Sequence, residues 1–170
     1  MNRILLAAVL ATAGIVQADY KVDMKSIDAN GIGKSLGTVT ISENPGGGVV
    51  LKPALKGLPA GDRGFHVHEK ADCGAKEKDG KKTAGEAAGP HWDPEKAGKH
   101  AGPDGKGHRG DLPALQVGSD GSANKPVVSK RLKLADLAGK SLMVHEGGDT
   151  YSEPPPSGGG GTRIACGAIK

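Results

Sequence analysis

The sequence predicts an all-β domain, built as an antiparallel β-sandwich or β-barrel. Short runs that alternate in polarity or are rich in β-branched residues recur along the chain, separated by turn-forming residues, and no stretch shows a long helical period. The composition agrees, because 29 glycines, 11 prolines and 2% aromatic residues indicate a loop-rich protein with a core of small aliphatic side chains. The eight predicted strands are Tyr20–Ile27, Gly37–Ser42, Val49–Leu55, Phe65–His68, Leu115–Gly118, Lys130–Leu134, Ser141–His145 and Arg163–Ile169.

Residues 1–18 predict a cleavable export signal. Arg3 precedes an apolar run from Ile4 to Val16, and the segment ends in Val16-Gln17-Ala18, which fits the small-x-small pattern of signal peptidase sites. The apolar run is too short to span a bilayer, so we expect no membrane association. Residues 19–170 should then form a single exported domain, in a compartment that permits disulfides.

The charge pattern gives no support to nucleic-acid binding. The chain carries a net charge of +4, and its basic residues are mixed with acidic ones. The densest basic stretch, Lys76–Lys82, contains Glu77 and Asp79 and has no interleaved aromatic residue. We expect no nucleic-acid partner, although a small anionic substrate could still be attracted by such a stretch.

Two predicted connections, Glu69–Leu112 and Glu146–Thr162, are abnormally long. Loops longer than about 12–15 residues without secondary structure are uncommon in compact domains, unless they are functional or disordered. Something other than a hydrophobic core must therefore organise them if they fold. A metal ion and a covalent tether are the most economical candidates, and the sequence contains residues for both.

A His-x-His pair begins the case for a metal site. His66 and His68 flank Val67 on a predicted strand, and the two-residue period of a strand puts both imidazoles on one face, with Phe65 and Val67 on the other. Taken alone, the pair fits two half-exposed strand histidines as well as a metal chelate.

The remaining histidines favour the metal. Three of them lie in the first long loop, an aspartate follows the last of these, and one more closes a predicted strand. Three imidazoles and one carboxylate suit a closed tetrahedral zinc site. Scattered surface histidines would leave the long loop with nothing to fold around. The residues are His91, His100, His108 and Asp111 in the loop and His145 on the strand.

Cys73 and Cys166 are the only cysteines. In an exported protein an isolated pair most simply forms one disulfide, since a thiolate metal site or a catalytic thiol would need spacings or partners that are missing. The bond would tie the long loop to the last strand. In the chain-entropy model it would stabilise the fold by about 4 to 5 kcal/mol.

Five segments resemble, in order and spacing, the signature segments of the copper/zinc superoxide dismutases, and the chain looks most like their bacterial periplasmic branch. The resemblance covers essentially all of residues 19–170. It implies an eight-stranded Greek-key β-barrel with two long functional loops, in a periplasmic enzyme. The segments are Gly64–Glu69, Gly89–Pro94, His108–Pro113, Met143–Asp149 and Arg163–Gly167.

The resemblance also implies the ligands of one copper and one zinc ion per subunit. A deprotonated His91 would bridge the two ions, and Asp149 would accept hydrogen bonds from the non-ligating nitrogens of His66 and His100. The implied copper ligands are His66, His68, His91 and His145. The implied zinc ligands are His91, His100, His108 and Asp111.

The implied activity is the conversion of superoxide to oxygen and hydrogen peroxide as copper cycles between Cu(II) and Cu(I). Arg163 would dock the anionic substrate, and His91 would release copper on reduction and donate a proton to the peroxide. These two residues are the implied catalytic groups. Because the loop 147–161 contains no lysine, we hypothesise that a lysine cluster supplies the attracting field. The cluster consists of Lys76, Lys78, Lys81 and Lys82.

Two alternatives stay open at this point. The same scaffold could serve a non-catalytic exported copper-binding protein that buffers the metal, although Arg163, His91 and His145 argue against this. The protein could be a monomer or a homodimer. Trp92, the only tryptophan, could contribute to a subunit contact or pack locally over the metal site.

Overall fold

The computed structural model describes residues 19–170, so the predicted export signal lies outside the described residues. Eleven strands lie in these residues. In chain order they are β1 (Tyr20–Asp28), β2 (Gly31–Glu43), β3 (Val49–Leu55), β4 (Gly61–Arg63), β5 (Phe65–His68), β6 (Lys76–Lys78), β7 (Lys81–Thr83), β8 (Leu115–Val117), β9 (Val127–Ser129), β10 (Ser141–His145) and β11 (Arg163–Ala168). Short 3₁₀ helices cover Glu86–Ala88, Leu134–Asp136 and Pro156–Gly159.

Seven of the strands form one antiparallel sheet in the order β5-β10-β11-β1-β2-β3-β9. Strands β1 to β3 pair as consecutive neighbours, and β11 returns to lie beside β1, which is the strand order of a Greek key. The remaining described strands pair as β4 with β8 and as the hairpin β6–β7. Within residues 19–170 the structure contains no helix with the length and apolar character that a membrane crossing would need.

The predicted all-β antiparallel fold class is confirmed, and seven of the eight predicted strands are present. The predicted strand Lys130–Leu134 is wrong. The strand in this region is β9, which pairs with β3 through Val128 and Val50. Leu132 and Leu134 are buried, but in irregular chain and in a 3₁₀ turn. The alternation of apolar residues in this segment reflects their burial in the core. Irregular backbone can bury alternate residues as a strand does.

The core consists of aliphatic side chains, as the composition predicts, with Phe65 the one aromatic residue of the main buried cluster. On β5, Phe65 and Val67 point into this cluster. Their alternation leaves His66 and His68 for the opposite face of the strand, and both histidines are fully buried. The sheet alone thus positions two of the imidazoles, without a contribution from the loops.

The long loop completes the free edge of β5. Val67 donates its N–H to Gly110 O (2.8 Å) and accepts a hydrogen bond from Trp92 N (2.8 Å). Isolated antiparallel bridges join His68 to His91 and His66 to Asp111. The middle of the loop and its C-terminal end therefore pair with β5 like short strands, and this pairing brings His91 and Asp111 to the histidine face.

Trp92 itself packs against the core and is half-buried. The guanidinium of Arg109 lies 5.2 Å from its ring centroid and the ammonium of Lys140 lies 4.6 Å from it. These are cation–π distances. Local packing therefore accounts for the tryptophan within the subunit.

Cys73 and Cys166 form a disulfide, with their Cα atoms 5.7 Å apart. Both cysteines are buried in a small cluster with Ile27, Ala88 and Met143. The bond joins the first part of the long loop to β11, the strand that carries Arg163. Loop and sheet are thus tied covalently next to the histidine face.

Candidate metal centre

Four buried histidines converge at the centre of the protein. His66 and His68 come from β5, His145 from the end of β10, and His91 from the loop that pairs with β5. One ligand atom from each lies within 4.8 Å of those of the other three. The His66 and His91 rings are closest, with centroids 4.0 Å apart. Four imidazoles at this separation suit copper.

A second group surrounds the carboxylate of Asp111. Its Oδ1 lies 2.9 Å from His91 Nδ1 and 3.4 Å from His108 Nδ1, and its Oδ2 lies 3.0 Å from His100 Nδ1. In this second group, ligand atoms of His66, His91, His100 and Asp111 all lie within 4.8 Å of one another. His108 is thus the outermost of the predicted zinc ligands, although its Nδ1 faces the same carboxylate.

Within the described residues, five histidine nitrogens are buried without a hydrogen-bond partner. An unpartnered buried polar atom costs free energy and calls for an explanation. A metal ion would use each of these lone pairs, so the residues fit the two ions that the donor set suggests. The atoms are His66 Nδ1, His68 Nε2, His100 Nδ1, His108 Nδ1 and His145 Nε2.

Backbone carbonyls fix the tautomers of two of these histidines. His68 Nδ1–H donates to Gly89 O (2.8 Å), and His145 Nδ1–H donates to Gly161 O (3.1 Å). Each bond leaves the lone pair on Nε2, which is the unpartnered atom. Such outer hydrogen bonds orient metal-binding imidazoles.

Asp149 orients two more. Its Oδ2 accepts from His66 Nε2 at 2.7 Å, and its Oδ1 accepts from His100 Nε2 at 2.8 Å. The backbone N–H of Tyr151 donates to the same Oδ1 at 2.7 Å. One carboxylate thus connects a histidine of the first group to a histidine of the second.

Burial controls the protonation of the first group. It lowers the pKa of His66, lowers that of His68 well below its usual value, and lowers those of His91 and His145 to about 4 and about 3. At neutral pH these four rings are therefore uncharged. Uncharged imidazoles offer the lone pairs that a metal ion needs.

His100 behaves in the opposite way. Burial opposes its protonation, but its contacts with Asp111 and Asp149 outweigh burial and raise its pKa to about 9. The same contacts hold the pKa values of both carboxyl groups well below their usual range despite burial. This environment favours a positive charge at His100, and a cation at its Nδ1 would supply one.

Arg163 faces the first group because β11 contains a bulge. Val144 pairs with Ala165, so regular pairing would place Ile164 opposite His145. The register shifts by one residue at this point and places Arg163 there instead. The spacing of the Arg-x-x-Cys segment therefore sets the direction of this side chain.

The guanidinium of Arg163 is held by the loop. Its Nη1 donates to Gly85 O (2.7 Å) and its Nη2 to Gly89 O (2.9 Å), while Glu86 Oε2 lies 3.5 Å from Nη1. The Gly89 carbonyl also accepts the bond from His68. These partners could not be predicted from the sequence, because a backbone carbonyl leaves no residue-type signal. The one sign of them is glycine at 85 and 89, where φ is 62° and 78°.

A cleft of about 570 Å³ opens onto this arrangement. His91, His145 and Arg163 line it, together with Glu86 and Lys78. Within the described part of the chain, Lys78 is the one member of the hypothesised lysine cluster that lines the cleft. Its ammonium lies 3.3 Å from Glu86, so part of its charge is already paired.

Comparison with known proteins agrees with this geometry. A family model described as copper/zinc superoxide dismutase (SODC) matches residues 35–169. Superoxide dismutase (Cu-Zn) 2 of Salmonella typhimurium is 52% identical over 174 aligned positions, which cover 100% of each chain.

Two solved structures are similar. The Cu/Zn superoxide dismutase of Brucella abortus has a TM-score of 0.87 and 48% identity, covering 90% of this chain and 100% of that one. The monomeric copper, zinc superoxide dismutase of Salmonella enterica has a TM-score of 0.80 and 51% identity, with the same coverage. Fold, donor set and sequence agree, and the chain belongs to the copper/zinc superoxide dismutase family.

Proposed function

We propose that this protein is an exported, periplasmic superoxide dismutase that converts two superoxide ions and two protons to oxygen and hydrogen peroxide. The observation that carries the proposal is the position of His91. Its Nδ1 lies 2.9 Å from Asp111, its ring centroid lies 4.0 Å from that of His66, and it lines the open cleft. His91 therefore belongs to both groups of proposed ligands and also lines the cleft that a substrate would enter.

The proposed copper ligands are His66, His68, His91 and His145, and the proposed zinc ligands are His91, His100, His108 and Asp111. The unpartnered ring nitrogens support both sets. Copper supplies a one-electron redox couple when bound, and zinc supplies a redox-inert positive charge.

Arg163 would bind the substrate. Superoxide carries one negative charge, and the guanidinium has five N–H donors, of which two are used by Gly85 and Gly89. The two carbonyls fix the direction in which the remaining donors point. The bound anion would lie between Arg163 and the histidines that line the cleft.

His91 would hold and deliver a proton. Because Nδ1 faces Asp111, Nε2 is the nitrogen left for the copper side and the cleft. A proton on Nε2 would be released into the cleft, where the peroxide product forms. The second proton would come from solvent.

Export is supported by the disulfide, which forms and persists in oxidising compartments. Removal of the predicted signal would start the mature chain at Asp19. We expect the periplasmic fraction to contain a protein of that mass, and intact-mass spectrometry would measure it. A retained residue 1–18 segment would contradict this part of the proposal.

The enzymatic proposal is tested by following superoxide decay after pulse radiolysis. The protein loaded with copper and zinc should accelerate decay greatly over the zinc-only protein, which lacks a redox couple. Arg163→Ala should slow the loaded protein roughly tenfold or more, because it loses the anion-binding charge. Arg163→Lys keeps the charge without the fork of donors, and should fall between the two.

A loaded protein no faster than the zinc-only protein would overturn the proposal in favour of a copper buffer. The open cleft and the position of Arg163 favour the enzyme over that second candidate, since a buffer needs neither.

A further inference from the structure

Two charged side chains outside the metal-binding loop contact the backbone of that loop. Arg131 follows β9, and Glu153 lies in the second long connection. Among the described residues neither is part of an ion pair. Each instead forms hydrogen bonds to the main chain of a proposed zinc ligand.

Arg131 holds the backbone at His108. Its Nη1 donates to His108 O at 3.0 Å and its Nη2 donates to Gly107 O at 2.7 Å. The N–H of His108 is also held, by Lys99 O at 3.0 Å. Both ends of the His108 residue are therefore fixed, although no regular strand or helix contains it.

The backbone that Arg131 contacts is closely packed. A Cβ on Gly107 would lie 2.7 Å from Lys99 O and 2.6 Å from Ala101 N. The Gly107 backbone thus approaches the neighbouring turn closely, and its carbonyl accepts a hydrogen bond from Arg131. These contacts hold the backbone next to His108, which is the outermost of the proposed zinc ligands.

Glu153 holds the backbone at His100. Its Oε1 accepts the N–H of His100 at 3.1 Å and that of Ser157 at 3.4 Å. Asp149 binds the ring of the same histidine. The segment 149–153 thus holds His100 at both its side chain and its main chain.

We propose that Arg131 and Glu153 are positioning residues for the zinc site, acting on the main chains of His108 and His100. Attraction of the metal ion does not explain the charge of Arg131, and attraction of the substrate does not explain the charge of Glu153. A cationic Arg131 beside a zinc ligand opposes cation binding, and an anionic Glu153 lining the cleft opposes an anionic substrate. Their backbone hydrogen bonds do explain them. This inference rests on the proposed zinc ligands.

Zinc affinity is the readout, measured by competition with a chromophoric chelator. Arg131→Met should raise the zinc dissociation constant by roughly tenfold, since the loss of outer partners typically costs 10- to 100-fold in metal affinity. Arg131→Lys restores one donor and should recover part of the loss. Lys130→Met, the neighbouring exposed lysine, removes the same charge and should leave the constant unchanged.

The Glu153 pair separates hydrogen bonding from charge. Glu153→Ala removes the acceptor and should weaken zinc binding by roughly tenfold. Glu153→Gln removes the charge but keeps an acceptor oxygen, and should retain zinc nearly as well as the parent protein. Cobalt(II) placed in the zinc site gives an absorption spectrum that reports ligand geometry. This spectrum should change in Arg131→Met and Glu153→Ala, and it should stay as in the parent protein in Lys130→Met and Glu153→Gln.

His108→Ala distinguishes failure of this inference from failure of the proposed function. If His108→Ala leaves zinc affinity unchanged, the ligand assignment itself is wrong. If it weakens binding while Arg131→Met and Glu153→Ala match the parent in affinity and cobalt spectrum, the positioning roles are wrong and the ligands stand. Intact disulfide and unchanged near-ultraviolet circular dichroism identify the variants that remain folded.

Discussion

The two halves of the metal centre are built on different kinds of backbone. Three proposed copper ligands lie on adjacent paired strands: His66 and His68 on β5, and His145 on β10. The proposed zinc ligands instead lie in the long loop, in whose described residues the buried hydrophobic side chains are Cys73, Ala84, Ala88 and Leu112. The sheet holds the copper side in place through its core, while the zinc side depends on hydrogen bonds, the disulfide and the ion.

This difference indicates where metal binding and folding are coupled. Ordering a loop opposes folding by about 1–2 kcal/mol per residue in backbone entropy, and the loop buries few apolar side chains to offset it. A bound ion that requires the ordered loop would supply the missing free energy. We therefore expect loss of zinc to loosen the loop and loss of copper to leave the fold unchanged.

The largest expected effect separates chemistry from folding. His145→Ala should lower the superoxide decay rate by more than about 100-fold, because a ligand should matter more than the outer partners that typically cost 10- to 100-fold. Amide exchange in residues 99–110 should stay at the parent level. His108→Ala should produce a smaller loss of rate and faster exchange in that segment. Pulse radiolysis measures the decay rate, and hydrogen-exchange mass spectrometry measures the amide exchange. Equally fast exchange of residues 99–110 in the two variants would contradict the proposed difference between the copper side and the zinc side.

Removal of the disulfide should be next in size. The Cys73→Ala/Cys166→Ala double variant loses a tether across 93 residues, and its free energy of unfolding should fall by up to about 4 to 5 kcal/mol. Urea denaturation of the metal-loaded protein measures this. Because the bond joins loop to sheet, exchange should increase first on the loop side. An unchanged unfolding midpoint would show that the metals alone hold the loop.

Asp149 is expected to affect both halves, because it contacts His66 and His100. Asp149→Ala should weaken copper and zinc binding together, each by roughly 10- to 100-fold. Asp149→Asn keeps one carbonyl acceptor and should weaken them less. Separate chelator competitions for the two ions give the comparison. A variant that loses zinc but binds copper normally would mean that the halves are independent.

The smallest expected effect concerns attraction of the substrate. Lys78→Gln should lower the decay rate by roughly twofold at low salt and flatten its dependence on ionic strength, because Lys78 lines the cleft. Lys81→Gln removes the same charge from the far strand of the same hairpin and serves as the matched control. Rates measured across a salt series test this. Equal salt profiles for the two variants and the parent would exclude the lysine hypothesis.

Sequence patterns predicted the features that side chains determine. Alternation on β5 separated Phe65 and Val67 from the two histidines, and the residue types at His91, His100 and Asp111 indicated ions. The pairing of the loop with Val67 could not be predicted, because backbone hydrogen bonds form with any residue type. For the same reason the hydrogen bonds of Arg131 to two carbonyls could not be predicted. The predicted strand Lys130–Leu134 was wrong for another reason, because Leu132 and Leu134 are buried in irregular chain and in a 3₁₀ turn.

The Gly89 carbonyl has a consequence for precision. It accepts one hydrogen bond from His68 and another from Arg163, so a single loop atom holds both a proposed copper ligand and the proposed substrate-binding group. A displacement of this carbonyl would therefore act on both side chains at once. The distance between a bound anion and the copper ion would then depend on the position of one backbone atom of the loop.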